Sequence, residues 1–286
     1  MTQDNGPVAP YLEAILDLDL FVEIVMQGFG FGSSAEFWTD FRRRSAKRAK
    51  KDDPILDDDY YENRKARAKR LAEYAEEQSK TDFSYVYQLS SIQLWSLIEA
   101  CIDDLVILLL QDERTLESSE LFNKLKGSLI PFARASKEEQ VEIIKHQLIQ
   151  ELAAPLKPGI ARYEALLSAL DLSGSVPSSV RKALLELAEV RNVIIHKNAR
   201  ADARIIETCP WLGFSPGQVI ILRQDDFQMY SLASSHYLVG VGERWRIRYP
   251  EQCKDWEDTP EDMAGLLSHL SGIVDSIWEK RADEVN

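Results

Sequence analysis

Residues 83–111 read FSYVYQLSSIQLWSLIEACIDDLVILLLQ, and this stretch decides the fold class. Phe83, Val86, Leu89, Leu94, Leu97, Ile98, Cys101 and Leu105 recur mostly at steps of three and four. That spacing lines up side chains along one side of a helix, so one long helix is expected from about Asp82 to about Gln111. Working outward, shorter amphipathic stretches predict helices at Ser118–Leu129, Lys137–Leu152 and Gly159–Leu170. Ser173-Gly174-Ser175-Val176-Pro177 then breaks the chain and restarts it, with Pro177 near the first helical position, where a missing N–H costs nothing. The helix it opens runs through Leu184, Leu187, Val190 and Ile194 to about Asn198. A further helix is expected over Asp225–Val241. Thr259-Pro260-Glu261-Asp262 joins an N-cap threonine, proline at the first helical position and acids in the first turn. The helix it begins sets Met263, Leu266, Leu267, Leu270, Ile273, Val274 and Ile277 on one side, as a packing or dimer face. Pro216–Leu222 is the only convincing strand-like run. The expected fold is all-α: a helical bundle with an N-terminal helical extension and at most a short strand or hairpin.

That extension is residues 1–80. Pro10 opens a helix whose apolar face includes Leu12, Ile15, Leu16, Phe21, Val22 and Val25. Gly28-Phe29-Gly30-Phe31-Gly32-Ser33-Ser34 is expected to end it as a glycine-rich turn. A phosphate-cradling loop would need a strand before it and a Lys-Ser/Thr after it, and the sequence supplies neither. Tyr60 to Gln78, alanine-rich and charged, reads as an exposed helix. Net charge is −13, yet between Phe41 and Arg70 twelve basic residues stand against six acidic ones, making that window +6 and the remainder −19. A cationic strip on an acidic body can meet a polyanion. Arg42, Arg43, Arg44, Lys47 and Arg48 are its candidate RNA contacts, within a basic segment spanning 42–70. The alternative is a solvated helical face.

The totals bound the rest. With 286 residues, 45% of them apolar and 28% charged, the chain has core enough for one large domain or two modest ones. The start, Met1-Thr2-Gln3-Asp4-Asn5, lacks the basic and apolar regions of a secretory signal. Leu105–Leu110, the densest apolar run, is far too short to span a bilayer. A cytoplasmic protein without a membrane partner is expected. Cys101, Cys209 and Cys253 are odd in number, widely spaced and without a CxxC, so they read as reduced core thiols. No cluster of metal ligands stands out, and no cofactor is expected.

The chemistry lies in Glu189-Val190-Arg191-Asn192-Val193-Ile194-Ile195-His196-Lys197-Asn198. Arginine stays charged and forks two hydrogen bonds onto a phosphate, while histidine exchanges protons near neutral pH. RNA carries its own nucleophile, the 2′-hydroxyl. His196 would take the hydroxyl proton or protonate the departing 5′-oxygen, Arg191 would stabilise charge on the phosphorane, and Asn192 would hold a phosphate oxygen or fix the imidazole. Five positions on an ideal helix separate two side chains by about 7.5 Å along the axis and about 140° around it. Arg191 and His196 therefore do not share a face, whereas Asn192 and His196 do. Two antiparallel copies of the helix across a two-fold axis would bring Arg191 of one beside His196 of the other. The alternative is structural: the histidine satisfies C-terminal carbonyls, and the arginine pairs on the surface with Glu186 or Glu189.

Arg191-Asn192-Val193-Ile194-Ile195-His196 resembles the signature of the HEPN superfamily, an arginine-polar-x-x-x-histidine motif late in a helix of a helical bundle. The resemblance takes in Leu94-Trp95-Ser96-Leu97-Ile98-Glu99-Ala100-Cys101-Ile102-Asp103-Asp104, because many such proteins carry an acid on a corresponding helix, which Glu99 or Asp103 would match. It also takes in His196-Lys197-Asn198-Ala199-Arg200-Ala201-Asp202, similar to the segment leaving that helix in several bacterial members. Glu99, Asp103 and Asn198 are its supporting residues. It covers about residues 82–245, with 250–286 left as a C-terminal amphipathic helix packing on the bundle or the dimer interface. It implies an all-helical homodimer with a metal-independent endoribonuclease site built from Arg191 and His196. Such proteins commonly act as toxins or in antiviral defence, with any antitoxin or activator a separate protein. Others are silent scaffolds, or regulators that bind RNA without cutting it.

Other residues read as structural. His146, His236 and His269 are core-edge histidines. Glu99 with Asp103 is an ordinary i,i+4 pair rather than a paired-carboxylate hydrolase. Arg244-Trp245-Arg246-Ile247-Arg248-Tyr249 alternates basic and apolar groups as a strand would, either as a terminal packing strand or as a single-strand-binding surface.

Overall fold

The structure, a computed structural model, describes residues 6–112, 115, 129–153, 157–253 and 259–285. The helix expected over 118–129 lies, but for its last residue, outside them. Among the described residues the fold is all-α, with eleven α-helices and no strand. They are α1 (Ala9–Ser33), α2 (Ala35–Ala49), α3 (Asp58–Ser79), α4 (Ser84–Gln111), α5 (Leu129–Arg134), α6 (Lys137–Glu151), α7 (Ala161–Ala169), α8 (Ser178–Lys197), α9 (Ala203–Thr208), α10 (Gln224–Arg248) and α11 (Pro260–Val285). None is long and apolar enough to cross a membrane. The chain divides into two compact units, one made of 1–16, 91–220 and 225–286, the other of 17–90 with 221–224.

Helix starts follow local chemistry. Ser136 accepts from the Glu139 N–H while Glu139 accepts from the Ser136 N–H, a reciprocal cap that opens α6. Thr259 and Asp262 do the same for α11. In the larger unit α4 buries Leu94, Ile98, Cys101, Ile102 and Leu105, and α8 buries Val180, Leu184, Leu187 and Val190. Helix α11 packs on α8, burying Leu270 and Val274 from its apolar stripe. At its far end Arg281 pairs with Glu186 of α8 and Asp226 of α10. Glu186 is 1% exposed and also accepts from the Tyr230 hydroxyl and the Trp211 indole, both at 2.7 Å. Burial disfavours the Arg281 charge, but Glu186 and Asp226 outweigh it and raise the guanidinium above its ordinary range.

Three expectations need correction. The glycines at 28, 30 and 32 do not end α1, which continues through them to Ser33. Within the smaller unit a Cβ on Gly32 would sit 3.6 Å from that of Ala75, so a small residue there admits close approach to α3. Phe29 packs between Tyr74 and Phe83, with centroids 6.3 and 4.9 Å away. Tertiary packing thus offsets a helix penalty of about 1 kcal/mol per glycine. Secondly, 216–222 starts in a turn at 216–217 and forms a single antiparallel bridge, Arg200 to Val219, rather than a strand. Thirdly, Arg244–Arg248 is the last part of α10, not a strand. Arg244 Nη1 donates to both Glu164 carboxylate oxygens, at 2.9 and 3.0 Å, Arg246 pairs with Glu243, and Arg248 donates to Thr115 at 2.7 Å. No arginine row remains for a nucleic acid.

Candidate functional site

Helix α8 carries the Arg/His motif in its last two turns. It ends because Asn198 and Ala199 both adopt left-handed backbone, at φ 51° and 56°, with the Ala199 N–H reaching back to the Val193 carbonyl at 3.2 Å. Asparagine tolerates this conformation, whereas alanine there is strained. The segment 217–220 holds the exit in place. Ile220 N–H donates to Ala199 O, Ala201 N–H to Gln218 O and Gly217 N–H to Ala201 O, each at 2.8 Å. Residues 217–220 therefore clamp the end of the motif helix through backbone hydrogen bonds.

Arg191 is half-buried and turns toward α4. Its Nη2 lies 3.6 Å from Glu99 Oε2, and its Nη1 donates to Asn192 Oδ1 at 3.2 Å. Its surface partner is thus neither Glu186 nor Glu189, since the former is taken up by the Arg281 network and the latter by Arg204 at 2.7 Å. The other Glu99 oxygen accepts from Arg162 of α7. Arg162 lies over the rings of Tyr163 and Trp95, at 4.5 and 5.4 Å from their centroids, and also donates to the Tyr163 hydroxyl. Burial pushes that phenol above its ordinary range. One carboxylate therefore bridges two guanidinium groups. The Nε atoms of Arg191 and Arg162 are buried and meet no hydrogen-bond partner among the described residues.

The other named residues stand apart. His196 is exposed on α8, as is Asn198 at its end. Asp103, one turn beyond Glu99, pairs with Lys145 at 3.1 Å. A cavity of about 470 Å³ opens beside Glu99, with Asp103, Lys145, Arg162 and Tyr163 at its polar side and Val106 and Ile149 among its apolar lining. In the smaller unit Arg42 is paired with Asp53 at 2.9 Å, Arg43 with Asp58, and Arg44 donates to the Asp40 carbonyl at 3.4 Å. Lys47 and Arg48 are exposed. Arg162, Tyr163 and Lys145 carry no motif, and only the approach of α6 and α7 to α4 reveals them.

Cys101, Cys209 and Cys253 are buried and unbonded, and burial raises all three thiols, that of Cys209 to about 12, which disfavours the thiolate. His236 is buried, whereas His146 and His269 are exposed rather than at the core edge. Among the described residues no three His, Cys, Asp or Glu side chains converge as metal ligands would. Compared with family models, with curated proteins and with solved structures, the chain matches none.

Proposed function

We propose that the protein is a metal-independent endoribonuclease of HEPN type, cutting RNA at a composite Arg/His site in a homodimer. The observation that carries this reading is the pairing of Glu99 with Arg191, which joins the acid of the long helix to the arginine of the motif, beside Asn192. Arg191 is thereby held by packing and charge, as a group that must meet a phosphorane without reorganising should be. His196 is exposed where a second copy can present a phosphate to it. In the reaction the 2′-oxygen bonds to phosphorus as the bond to the 5′-oxygen breaks. His196 moves one of the two protons, taking it from the 2′-hydroxyl or giving it to the leaving oxygen. The products are a 2′,3′-cyclic phosphate and a 5′-hydroxyl. Such an activity suits a cytoplasmic toxin or antiviral effector held in check by a separate protein.

A second reading is a non-catalytic dimerisation or RNA-binding regulator of the same type. It is favoured by the same contact, because Glu99 engages Arg191 and an incoming phosphate has to displace it. Incubating the purified protein with a structured RNA in excess EDTA, beside Arg191→Ala and His196→Ala, separates the two. Cleavage to cyclic-phosphate ends that is lost in both variants supports the ribonuclease. Intact RNA with a folded dimer supports the regulator. Cleavage that survives both substitutions refutes this site altogether.

A further inference from the structure

The basic window builds a groove that the Arg/His site does not use. Helices α2 and α3 lie side by side in the smaller unit, joined through a turn whose Ile55 is 1% exposed. Between them, closed at one end by the last turns of α1, lies a cleft of about 420 Å³ lined by Phe31, Trp38, Arg42, Arg64, Arg67 and Leu71, among others. Helical spacing explains the lining. Trp38 and Arg42 are four apart on α2, while Arg64, Arg67 and Leu71 fall three and four apart on α3.

The cations of this window are not equivalent. Arg42 is tied to Asp53 through two hydrogen bonds, at 2.9 and 3.2 Å. Arg43 is tied to Asp58 and lies 3.8 Å from the centre of the Tyr61 ring. Among the described residues no carboxylate pairs with Arg64 or Arg67, and both are exposed. Trp38, which lines the same cleft, forms a cluster of rings with Phe37 and Phe41, with centroids 5.4 to 6.1 Å apart. Each of the three is about half exposed, at 55, 50 and 48%. Large aromatic rings left in water beside uncommitted guanidinium groups mark a binding surface rather than a core.

We propose that this groove binds single-stranded nucleic acid, with a phosphate between Arg64 and Arg67 and unpaired bases stacked on Trp38 and its ring neighbours. Guanidinium forks match phosphate oxygens, and every base offers a flat face to an aromatic ring without regard to sequence. The cleft is of the size that takes one nucleotide. A bilayer would press on a convex apolar strip and leave a concave notch lined by arginines unfilled. An acidic peptide would meet the charges and leave the rings without flat partners. The strongly acidic remainder of the chain repels a polyanion elsewhere and confines it to this strip. The binding stands whether or not Arg191 and His196 cleave what is bound.

The test is fluorescence anisotropy of the full chain, carrying His196→Ala to prevent any cutting, with a labelled 12-nucleotide RNA over a range of salt concentrations. Arg64→Ala/Arg67→Ala, at exposed positions, is expected to weaken binding by about tenfold or more. It is also expected to flatten the slope of log K against log salt by about 0.7, because the phosphate that the two arginines share then keeps its counterion. Lys137→Ala/Arg181→Ala should change neither, and a duplex of the same sequence should bind several-fold more weakly because its bases are already stacked. No binding at low salt, or a double variant that binds like its parent, overturns the proposal. So does preference for phosphatidylserine vesicles or a polyglutamate peptide over the RNA. Binding with no cleavage by the unsubstituted chain sinks the ribonuclease reading alone; cleavage with no binding at this groove sinks only this inference.

Discussion

Two inactive variants, mixed, should restore a defined share of activity. Arg191 and His196 are about 140° apart around their helix, and in the structure Arg191 faces Glu99 of its own chain while His196 is exposed. A phosphate held at Arg191 is therefore badly placed for the histidine of the same chain. On the proposed ribonuclease reading, in which two α8 helices pair antiparallel, each site would take its arginine from one protomer and its histidine from the other. Homodimers of Arg191→Ala lack the arginine at both sites, and homodimers of His196→Ala lack the histidine at both. Losing either group should lower the rate by about 100-fold or more. If equal amounts exchange at random, about half of the dimers are mixed, and each mixed dimer has one site with both groups and one with neither. The mixture should then recover about a quarter of the unsubstituted rate, well over tenfold above either variant. Cleavage of a fluorogenic RNA gives the rate, and native mass spectrometry of one mass-tagged variant gives the extent of exchange. Full exchange with activity no greater than the average of the two variants would place both groups in one chain and refute the composite site.

Two further outcomes follow from the fold. Glu186→Ala removes a buried carboxylate, strands the Tyr230 hydroxyl and the Trp211 indole, and leaves the Arg281 guanidinium with Asp226 alone. The expected loss is about 3–5 kcal/mol in urea unfolding followed by tryptophan fluorescence, and a loss below about 1 kcal/mol would show the network to be incidental. His236 is buried, which lowers its folded pKa below the ordinary 6.5, so below that pH the unfolded chain takes up the proton first. Stability present above pH 6.5 is then lost as pH falls toward the folded value, at up to about 1.4 kcal/mol per pH unit. His236→Phe should flatten the urea midpoint between pH 6.5 and 5.5, and an unchanged pH dependence would contradict the assignment.

The bundle was readable wherever local signals agreed with one another. The apolar period of 83–111 gave α4, and the caps at Pro177 and Thr259 gave the starts of α8 and α11 almost to the residue. Where local and tertiary preferences opposed each other, the sequence misled. Three glycines in five residues read as a turn, yet Phe29 and Gly32 find partners on α3 and its neighbours that keep α1 helical. The alternation of Arg244 to Tyr249 reads as a strand, but the partners of its arginines lie on α7, on α10 itself and at Thr115, which a strand's single face would not reach. A period of two over six residues is too short to outweigh a helix already twenty residues long.

The site was legible only along the chain, not across it. The spacing of Arg191 and His196 is a property of one helix, and resemblance alone brought in Glu99. Nothing in the sequence marks Arg162, a single arginine on a nine-residue helix, as the second claimant on that carboxylate. Its presence changes what the ion pair does. If Glu99 served Arg191 alone, an arriving phosphate would have to leave a half-buried carboxylate without a counter-charge, which is costly. Arg162, steadied by the rings of Trp95 and Tyr163, keeps hold of Glu99 when Arg191 lets go. On the ribonuclease reading, Arg162 is what makes Arg191 exchangeable between its resting partner and a substrate. Arg162→Ala should then tighten the Glu99–Arg191 pair and slow cleavage by raising KM, without any direct contact between Arg162 and the RNA.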